Sequence, residues 1–397
     1  MSKKISVIGL GYVGLPLAIH ASKCGYKVLG IDNNIQKINS LKLGNSDTQS
    51  VEKSELLDAI NNYGLDLSYN YCDIQGSEIV IICVPTPLDE FFRPDLSYVE
   101  MSARSIAPYI EQNTLIILES TVEPGTTRTF LIPIIELYSG FTQDKIQFAF
   151  SPERIDPLNN EWNIKNTPKL VSGLTEEACD RAMKFYAKFI DNLIKCDSME
   201  IAETSKLLEN SFRLVNISFI NEFSIFCNAY GIDINKVIAA AATKPYGFMT
   251  FYPGAGAGGH CIPIDPIYLA NKARQLGVPI KMIDLANEIN HALPKYFVRR
   301  AIKKLGNLID KRVLVIGISY KPNISDIRES PAIPIIQELE KIGAIVSWHD
   351  DLVKVWNGKS SVPLSSEFDL AIIVSLHNHI DISKIGEVPI INTRNSI

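Results

Sequence analysis

Long apolar runs, paired cysteines and an excess of basic charge are all absent from this 397-residue chain. Its most apolar stretch, residues 214–227, is interrupted by Asn216, Asn221 and Glu222 and falls short of the roughly 20 apolar residues that cross a bilayer. It reads as a buried helix, and no membrane insertion is expected. Seven cysteines, at positions 24, 72, 83, 179, 196, 227 and 261, form neither CxxC pairs nor metal-type spacing with the six histidines. That excludes a disulfide scaffold and a zinc site, and fits a reducing compartment. No metal is expected, and Cys24, Cys83 and Cys227 read as small buried hydrophobes. The formal charge of -5 lacks the footprint of a nucleic-acid partner. The opening MSKKISVIGLGYVG passes from two lysines straight into a strand pattern, without a longer apolar core or a small-residue cleavage site, so a cytoplasmic location is expected.

What is present is the balance of a folded protein, 46% hydrophobic and 21% charged, at a length that suggests two or three domains. Residues 5–8 read as a strand, 15–24 as an apolar helix and 27–31 as a second strand ending at Asp32, a βαβ unit. Apolar runs at 79–84, 115–118 and 147–150 alternate with helical patterns, which predicts a parallel, doubly wound sheet. The composition shifts near Asp197. Residues 198–230 read as one long helix, and few strand patterns follow before Arg312. There the opening grammar returns: strand 313–316, Gly317, a long loop, helix 332–341, Gly343, strand 344–348 and Asp350. The expected fold is α/β, with two Rossmann-like doubly wound domains (1–197 and 301–397) joined by a central helical domain (198–300). The second unit lacks close-spaced glycines, so its loop SYKPNISDIRESP is expected to hold something other than a dinucleotide.

Three places carry chemistry. Gly9, Gly11 and Gly14 spell G-x-G-x-x-G between strand and helix, where the backbone turns tightly and approaches a pyrophosphate. Asp32 stands where a carboxylate binds both ribose hydroxyls and repels a 2′-phosphate, which favours NAD over NADP. Lys37, in the loop beyond, is either a further cofactor contact or an ordinary exposed lysine. The second place is PGAGAGGHCIPIDP (253–266), a bendable yet locally rigid loop that presents Cys261. Asp265 lies four residues on, and a helix pattern (267–273) follows whose N-terminus would favour a thiolate. His260 is either a base, a ligand or a partner in a structural hydrogen bond. The third is a stripe, Lys206, Asn210 and Arg213, spaced to share one helix face; it either meets a polyanion or is solvated.

Together these residues resemble the UDP-glucose/GDP-mannose dehydrogenase family over essentially the whole length, through CVPTP (83–87), ESTVEPGTT (119–127), SPERIDP (151–157), ETSKLLENSFRLVNISFINE (203–222), GGHCIPIDP (258–266) and SYKPNISDIRESP (319–331). The resemblance implies an N-terminal NAD domain, a central helical dimerisation domain, a C-terminal domain for the nucleotide of a UDP-sugar, and a homodimer or higher homo-oligomer. It implies that Cys261 captures an aldehyde as a thiohemiacetal and then carries a thioester, while Glu153 activates water and Thr121 and Asp265 hold it. Lys206 and Asn210 match the oxyanion-stabilising pair. The first hydroxyl proton goes either to Lys206 or to a water on Asp265. Tyr12, Val13, Pro85, Thr86, Thr121 and Arg328 fall among the cofactor-binding positions. Glu153, Arg154, Lys206, Asn210, Arg213, Gly258, Lys321 and Arg394 fall among the substrate-binding ones.

Members acting on UDP-glucose or GDP-mannose usually carry GGSC, whereas GGHCIPIDP and SPERIDP are similar to the branch acting on UDP-N-acetylaminosugars. The expected activity is therefore oxidation of C6 of a UDP-N-acetylhexosamine to the uronate. Where that branch usually has a glycine after SPER-x-x-P, this chain has Leu158. The GlcNAc, GalNAc and ManNAc forms differ only in stereochemistry and are left open. UDP-glucose oxidation, a two-electron hydroxyacid dehydrogenase that needs no cysteine, and a silent nucleotide-sugar binding protein stand as alternatives.

Overall fold

A computed structural model describes residues 3–48, 51–156, 159 and 161–395, so Leu158 lies outside the described residues. Its backbone contacts divide the chain into two units, Met1–Leu208 and Glu209–Ile397.

The first unit is built on eight strands: β1 (Lys4–Ile8), β2 (Lys27–Ile31), β3 (Leu65–Ser68), β4 (Ile79–Ile82), β5 (Leu115–Leu118), β6 (Gln147–Phe150), β7 (Lys169–Gly173) and β8 (Leu193–Lys195). They lie in the order β3-β2-β1-β4-β5-β6-β7-β8. The central strands β4 and β5 read as unbroken apolar runs because both faces of the sheet are covered there. Successive residues alternate between the two cores: Ile5, Val7, Ile81 and Ile117 pack under helices Gly14–Lys23, Lys53–Asn62 and Glu176–Tyr186. Ile8, Val80, Ile82 and Ile116 pack under Ser97–Ile106 and Ile132–Ser139. The expected doubly wound sheet is present, with one departure. β7 runs antiparallel to β6, pairing Phe150 with Ser172, and β8 follows it in parallel, so the first residue of β7 arrives at the carboxyl end of β6.

The second unit begins within the long helix Met199–Tyr230 and continues through helices Ile234–Ala241, Asp265–Gln275 and Lys281–Leu305. The second sheet follows: β9 (Arg312–Ile316), β10 (Ile345–His349) and, beyond the small hairpin of β11 (Val355–Trp356) and β12 (Lys359–Ser360), β13 (Leu370–Ile373) and β14 (Ile390–Asn392). Its order is β10-β9-β13-β14, parallel throughout. Helix Ala332–Lys341 and the later part of Lys281–Leu305 cover one face.

Two expectations about burial are corrected. Cys24 is exposed, not buried: it caps the C-terminal end of the first helix and its thiol donates to Lys188 O at 3.4 Å. Cys83 and Cys227 are buried as expected. Residues 214–227 are helical but buried on one side only. Leu214, Ser218, Asn221 and Cys227 face inward, whereas Phe219 (60% exposed), Phe226 (54%) and, just beyond, Tyr230 (73%) lie outside, with Phe226 and Tyr230 stacked. An all-round apolar pattern reports burial without saying whether the cover comes from the same chain.

Both sheets depend on close backbone approach after their first strand. A Cβ on Gly14 would sit 1.9 Å from Gly9 O, and one on Gly317 (φ +84°) 1.6 Å from Ser375 O. Gly317→Ala is expected to destabilise the protein by roughly 3 kcal/mol or more, whereas Gly25→Ala, with nothing within 4 Å, costs only the strain of its positive φ, about 1 kcal/mol. Urea unfolding of the two variants side by side checks the difference.

Candidate active site

The strand order of the first sheet reverses between β1 and β4, and ligands of such sheets bind outside the carboxyl ends at that point. Gly9 leaves β1 with φ +89°, and a Cβ there would lie 2.7 Å from the Cys83 carbonyl oxygen just past β4. Gly11 differs from Gly9 and Gly14, because nothing stands within 4 Å of the place its Cβ would take. Two glycines therefore allow packing, and the third leaves open the space through which a pyrophosphate reaches the helix start. Tyr12 and Val13 are half-buried in the same turn, Pro85 is exposed, Thr86 is buried and Thr121 is half-buried. The Asp32 carboxylate accepts from Leu10 N and Asn34 N, both at 3.1 Å, and pairs with Lys37 Nζ at 3.2 Å. Lys37 is thus placed against the acid rather than left in solvent. An open glycine turn with a fixed, partly exposed carboxylate fits a dinucleotide.

Further along the same edge, Glu153 follows β6. Its Oε1 accepts from the amides of Arg154 (2.7 Å) and Ile155 (2.6 Å), and its Oε2 faces Lys169 Nζ at 3.5 Å. Lys169 is the first residue of β7, brought here by the antiparallel turn, and is buried. It also donates to Glu119 Oε2 (3.2 Å) and Pro152 O (3.4 Å), while the Tyr186 hydroxyl donates to Glu119 Oε1. Arg154 donates to Pro168 O at 2.8 Å. In the loop after Thr121, Gly125 N (2.5 Å) and Thr127 N (2.9 Å) donate to the Glu203 carboxylate, which holds the loop to the long helix. Sequence reasoning missed Lys169, Glu119 and Tyr186. The one local signal was a lysine opening the otherwise apolar run KLVSG. On the long helix, Lys206 is 8% exposed and, among the described residues, has no ion-pair partner.

In the second unit the glycine loop is tethered at several points. Asn221 Oδ1 accepts from Gly254 N (2.8 Å), Asn290 Oδ1 from Ala257 N (2.7 Å), and Arg328 O from Gly259 N (3.1 Å). Tyr320 lies where side chains on Gly258 or Gly259 would be, within 2.9 Å of either would-be Cβ. At the end of this loop Cys261 is exposed. The helix after it starts at Asp265, two residues earlier than its pattern predicts, and the Asp265 amide donates to the Cys261 carbonyl at 2.8 Å. The buried Asp265 carboxylate accepts from Asn210 Nδ2 at 2.5 Å. Asn210 therefore stands with Asp265, whereas Arg213, expected on the same stripe, is exposed. Burial and the nearby Arg328 push the His260 imidazole below its ordinary range, so it is neutral at pH 7.

Residues 3–190 match the NAD binding domain of the UDP-glucose/GDP-mannose dehydrogenase family, residues 200–292 its central domain and residues 314–395 its UDP binding domain. The UDP-N-acetyl-D-glucosamine 6-dehydrogenase of Pseudomonas aeruginosa is 36% identical over 88% of this chain and 83% of its own length. The chain belongs to the UDP-glucose/GDP-mannose dehydrogenase family. A UDP-N-acetyl-D-mannosamine dehydrogenase of Methanococcus vannielii is 35% identical over 88% of this chain and 79% of its own. The solved UDP-D-ManNAc dehydrogenase of Pyrococcus horikoshii superposes with a TM-score of 0.91 at 30% identity, covering 99% of this chain and 96% of that one. As a member of this dehydrogenase family the protein is an NAD-dependent oxidoreductase.

Within the dehydrogenase's UDP binding domain, Asp350 ends β10 as Asp32 ends β2. Asp350 is fully buried and accepts from Ile318 N, Ser319 N, Leu352 N, Val353 N and His377 Nε2, at 2.9–3.2 Å. Saturated in this way, it offers nothing to a ribose, in keeping with the expectation that this unit holds something other than a dinucleotide. Lys321 is half-buried, and Arg328 and Arg394 are exposed; Arg328 pairs with Asp326 at 2.6 Å. Burial alone would raise the Asp350 pKa, but the His377 and backbone hydrogen bonds outweigh it and hold the carboxyl at about 2. A folded pKa below the unfolded value of about 3.9 contributes stability that is present above pH 4 and lost as pH falls toward 2. Asp350→Asn is expected to cost about 2 kcal/mol at pH 7 and less at pH 2, read by urea unfolding at the two pH values.

Proposed function

We propose that the enzyme oxidises C6 of a UDP-N-acetylhexosamine to the uronate in a four-electron reaction that uses two NAD, with Cys261 as covalent nucleophile. The observation that carries this reading is an exposed thiol at the end of a glycine loop tethered by Asn221, Asn290 and the Arg328 backbone, followed by the buried Asn210–Asp265 pair. A two-electron alcohol oxidation has no use for such a cysteine. The two relatives named for UDP-N-acetylglucosamine and UDP-N-acetylmannosamine support an acetamido sugar.

NAD, when bound, takes one hydride from C6 in each of two oxidations. Between them the Cys261 thiolate adds to the aldehyde carbon as a thiohemiacetal, which keeps the reactive aldehyde tethered, and the second oxidation gives a thioester. Glu153 then takes a proton from water as the water oxygen attacks the thioester carbonyl. The C–S bond breaks, the sulfur leaves with its electron pair, and the acid is released as carboxylate. Lys206 and Asn210 stabilise the oxyanions. A buried lysine without an ion-pair partner among the described residues suits a negative charge that arrives with the substrate, and Asn210 keeps one amide hydrogen beyond the one given to Asp265. Thr121 and Asp265 hold the attacking water. Gly9, Gly11, Tyr12, Val13, Gly14, Asp32, Lys37, Pro85, Thr86 and Arg328 bind NAD. Arg154, Arg213, Gly258, Lys321 and Arg394 bind the UDP-sugar.

We assign residues 1–197 to NAD, 198–300 to dimerisation and 301–397 to UDP; the matched NAD binding, central and UDP binding ranges support the three-part division. The exposed side chains Phe212, Phe219, Phe226 and Tyr230 support a homodimer formed on the long helix, since an apolar stripe of this size ordinarily meets a partner. Seven cysteine thiols, together with NAD and UDP-sugar ligands, suit the cytoplasm. No helix among the described residues is long and apolar enough to cross a membrane.

Purified protein given NAD and, separately, UDP-glucose, UDP-GlcNAc, UDP-GalNAc and UDP-ManNAc is expected to make two NADH per sugar with an acetamido substrate, and Cys261→Ser to lose at least ~10³-fold in turnover. One NADH per sugar with an active Cys261→Ser variant identifies a two-electron dehydrogenase instead. Preference for UDP-glucose overturns the sugar assignment.

A further inference from the structure

The Lys169 ammonium donates to Glu119 Oε2 at 3.2 Å and to Pro152 O at 3.4 Å, and forms an ion pair with Glu153 Oε2 at 3.5 Å. None of this was required to build the sheet. An apolar side chain at the start of β7 would fill the same buried place without desolvating a charge. The lysine side chain is 7% exposed and that of Glu119 is fully buried, so the pair is kept in spite of a desolvation cost. The Lys169 ammonium lies 5.1 Å from the Tyr186 ring centroid, and the Tyr186 hydroxyl holds the second oxygen of Glu119. Burial drives the Lys169 pKa down, but the carboxylates of Glu119 and Glu153 more than compensate, and the side chain stays cationic.

The effect falls on Glu153. Two backbone amides fix its Oε1, which leaves rotation of the carboxylate to be decided at Oε2, where Lys169 stands. The same ammonium binds the carbonyl of Pro152, the residue immediately before it. Side chain and main chain of Glu153 are therefore referred to a single buried cation, itself held by Glu119 just past β5, which Tyr186 at the end of helix Glu176–Tyr186 holds in turn.

We propose that Lys169, anchored by Glu119 and Tyr186, is a positioning residue for Glu153 and so governs hydrolysis of the thioester while leaving both oxidations untouched. The proposal rests on the covalent reading above. In the step concerned, water gives its proton to Glu153 and its oxygen to the thioester carbon, the C–S bond breaks, and Cys261 recovers its sulfur electron pair. A base whose carboxylate swings away from the water slows that step alone.

The test uses the full-length enzyme and the best sugar of the panel, with NADH followed after rapid mixing and the protein weighed intact for a sugar adduct. Lys169→Met is expected to form its first two NADH within about 3-fold of the wild-type rate, to turn over ~10–100-fold more slowly, and to accumulate an adduct that hydroxylamine removes. Lys169→Arg, which keeps the cation, is expected to recover most of the loss. A general defect in folding would lower oxidation and hydrolysis together and leave no excess adduct, and that result overturns the proposal, as does hydrolysis at the wild-type rate. Should Lys169→Met not fold, Glu119→Gln and Tyr186→Phe are expected to raise the adduct by roughly 3-fold or more, and adduct at the wild-type level in both overturns it equally. Cys261→Ser run in parallel separates the two claims. If the wild type makes two NADH and the serine variant is inactive, the covalent reading stands and only the Lys169 result bears on positioning; one NADH per sugar in the wild type removes both.

Discussion

Backbone meets backbone at the carboxyl ends of these sheets because Gly9, Gly14 and Gly317 have no side chain. A Cβ on Gly14 would stand on the Gly9 carbonyl, and one on Gly317 on the Ser375 carbonyl. Close-packed interiors do not stretch to admit an extra carbon at such distances. From this approach follow the direction in which each loop leaves its first strand, the reach of the acid at the end of the second strand to the turn amides, and the access of a phosphate to the helix start. The two units use the approach differently. In the first, Asp32 holds one turn amide and stays partly exposed beside the open Gly11. In the second, Asp350 takes five donors and is sealed.

Reversal of direction between β6 and β7 has as large an effect as any motif. Six parallel strands present only their carboxyl ends to the crevice side. β7 enters from the opposite direction and delivers its amino-terminal residue there, and Lys169 thereby meets two acids that follow β5 and β6. A parallel strand at this place would deliver its last residue instead, and the lysine would lie about four residues, or roughly 13 Å, away at the other edge of the sheet.

The βαβ opening, the glycine cradle, the long helix and the return of the same grammar at Arg312 were legible because each is local: period, spacing and turn residues lie within about 30 residues. The Cys261 loop was legible through its glycine and proline content. Lys169 was not, because its partner Glu119 is 50 residues away and nothing nearby marks the lysine as shared. The outward aromatic face of the long helix was misjudged for a different reason. Hydrophobicity all round a helix measures how much surface is covered, and Phe219 and Phe226 carry no sign of who covers it. Cys24 was misjudged because a cysteine at a helix end follows the cap geometry and not its own burial preference.

His377 has both ring nitrogens committed. Asn323 N donates to Nδ1 at 2.8 Å, so the ring proton must sit on Nε2, facing Asp350 at 2.9 Å. The side chain is wholly buried, and neither a ring flip nor an exchange of tautomers leaves both bonds intact. A buried imidazole locked in this way yields a slowly exchanging nitrogen-bound proton with its own resonance. The second unit thus has a native spectroscopic reporter at the root of the loop that follows β9, and changes in that loop can be followed there without attaching a label.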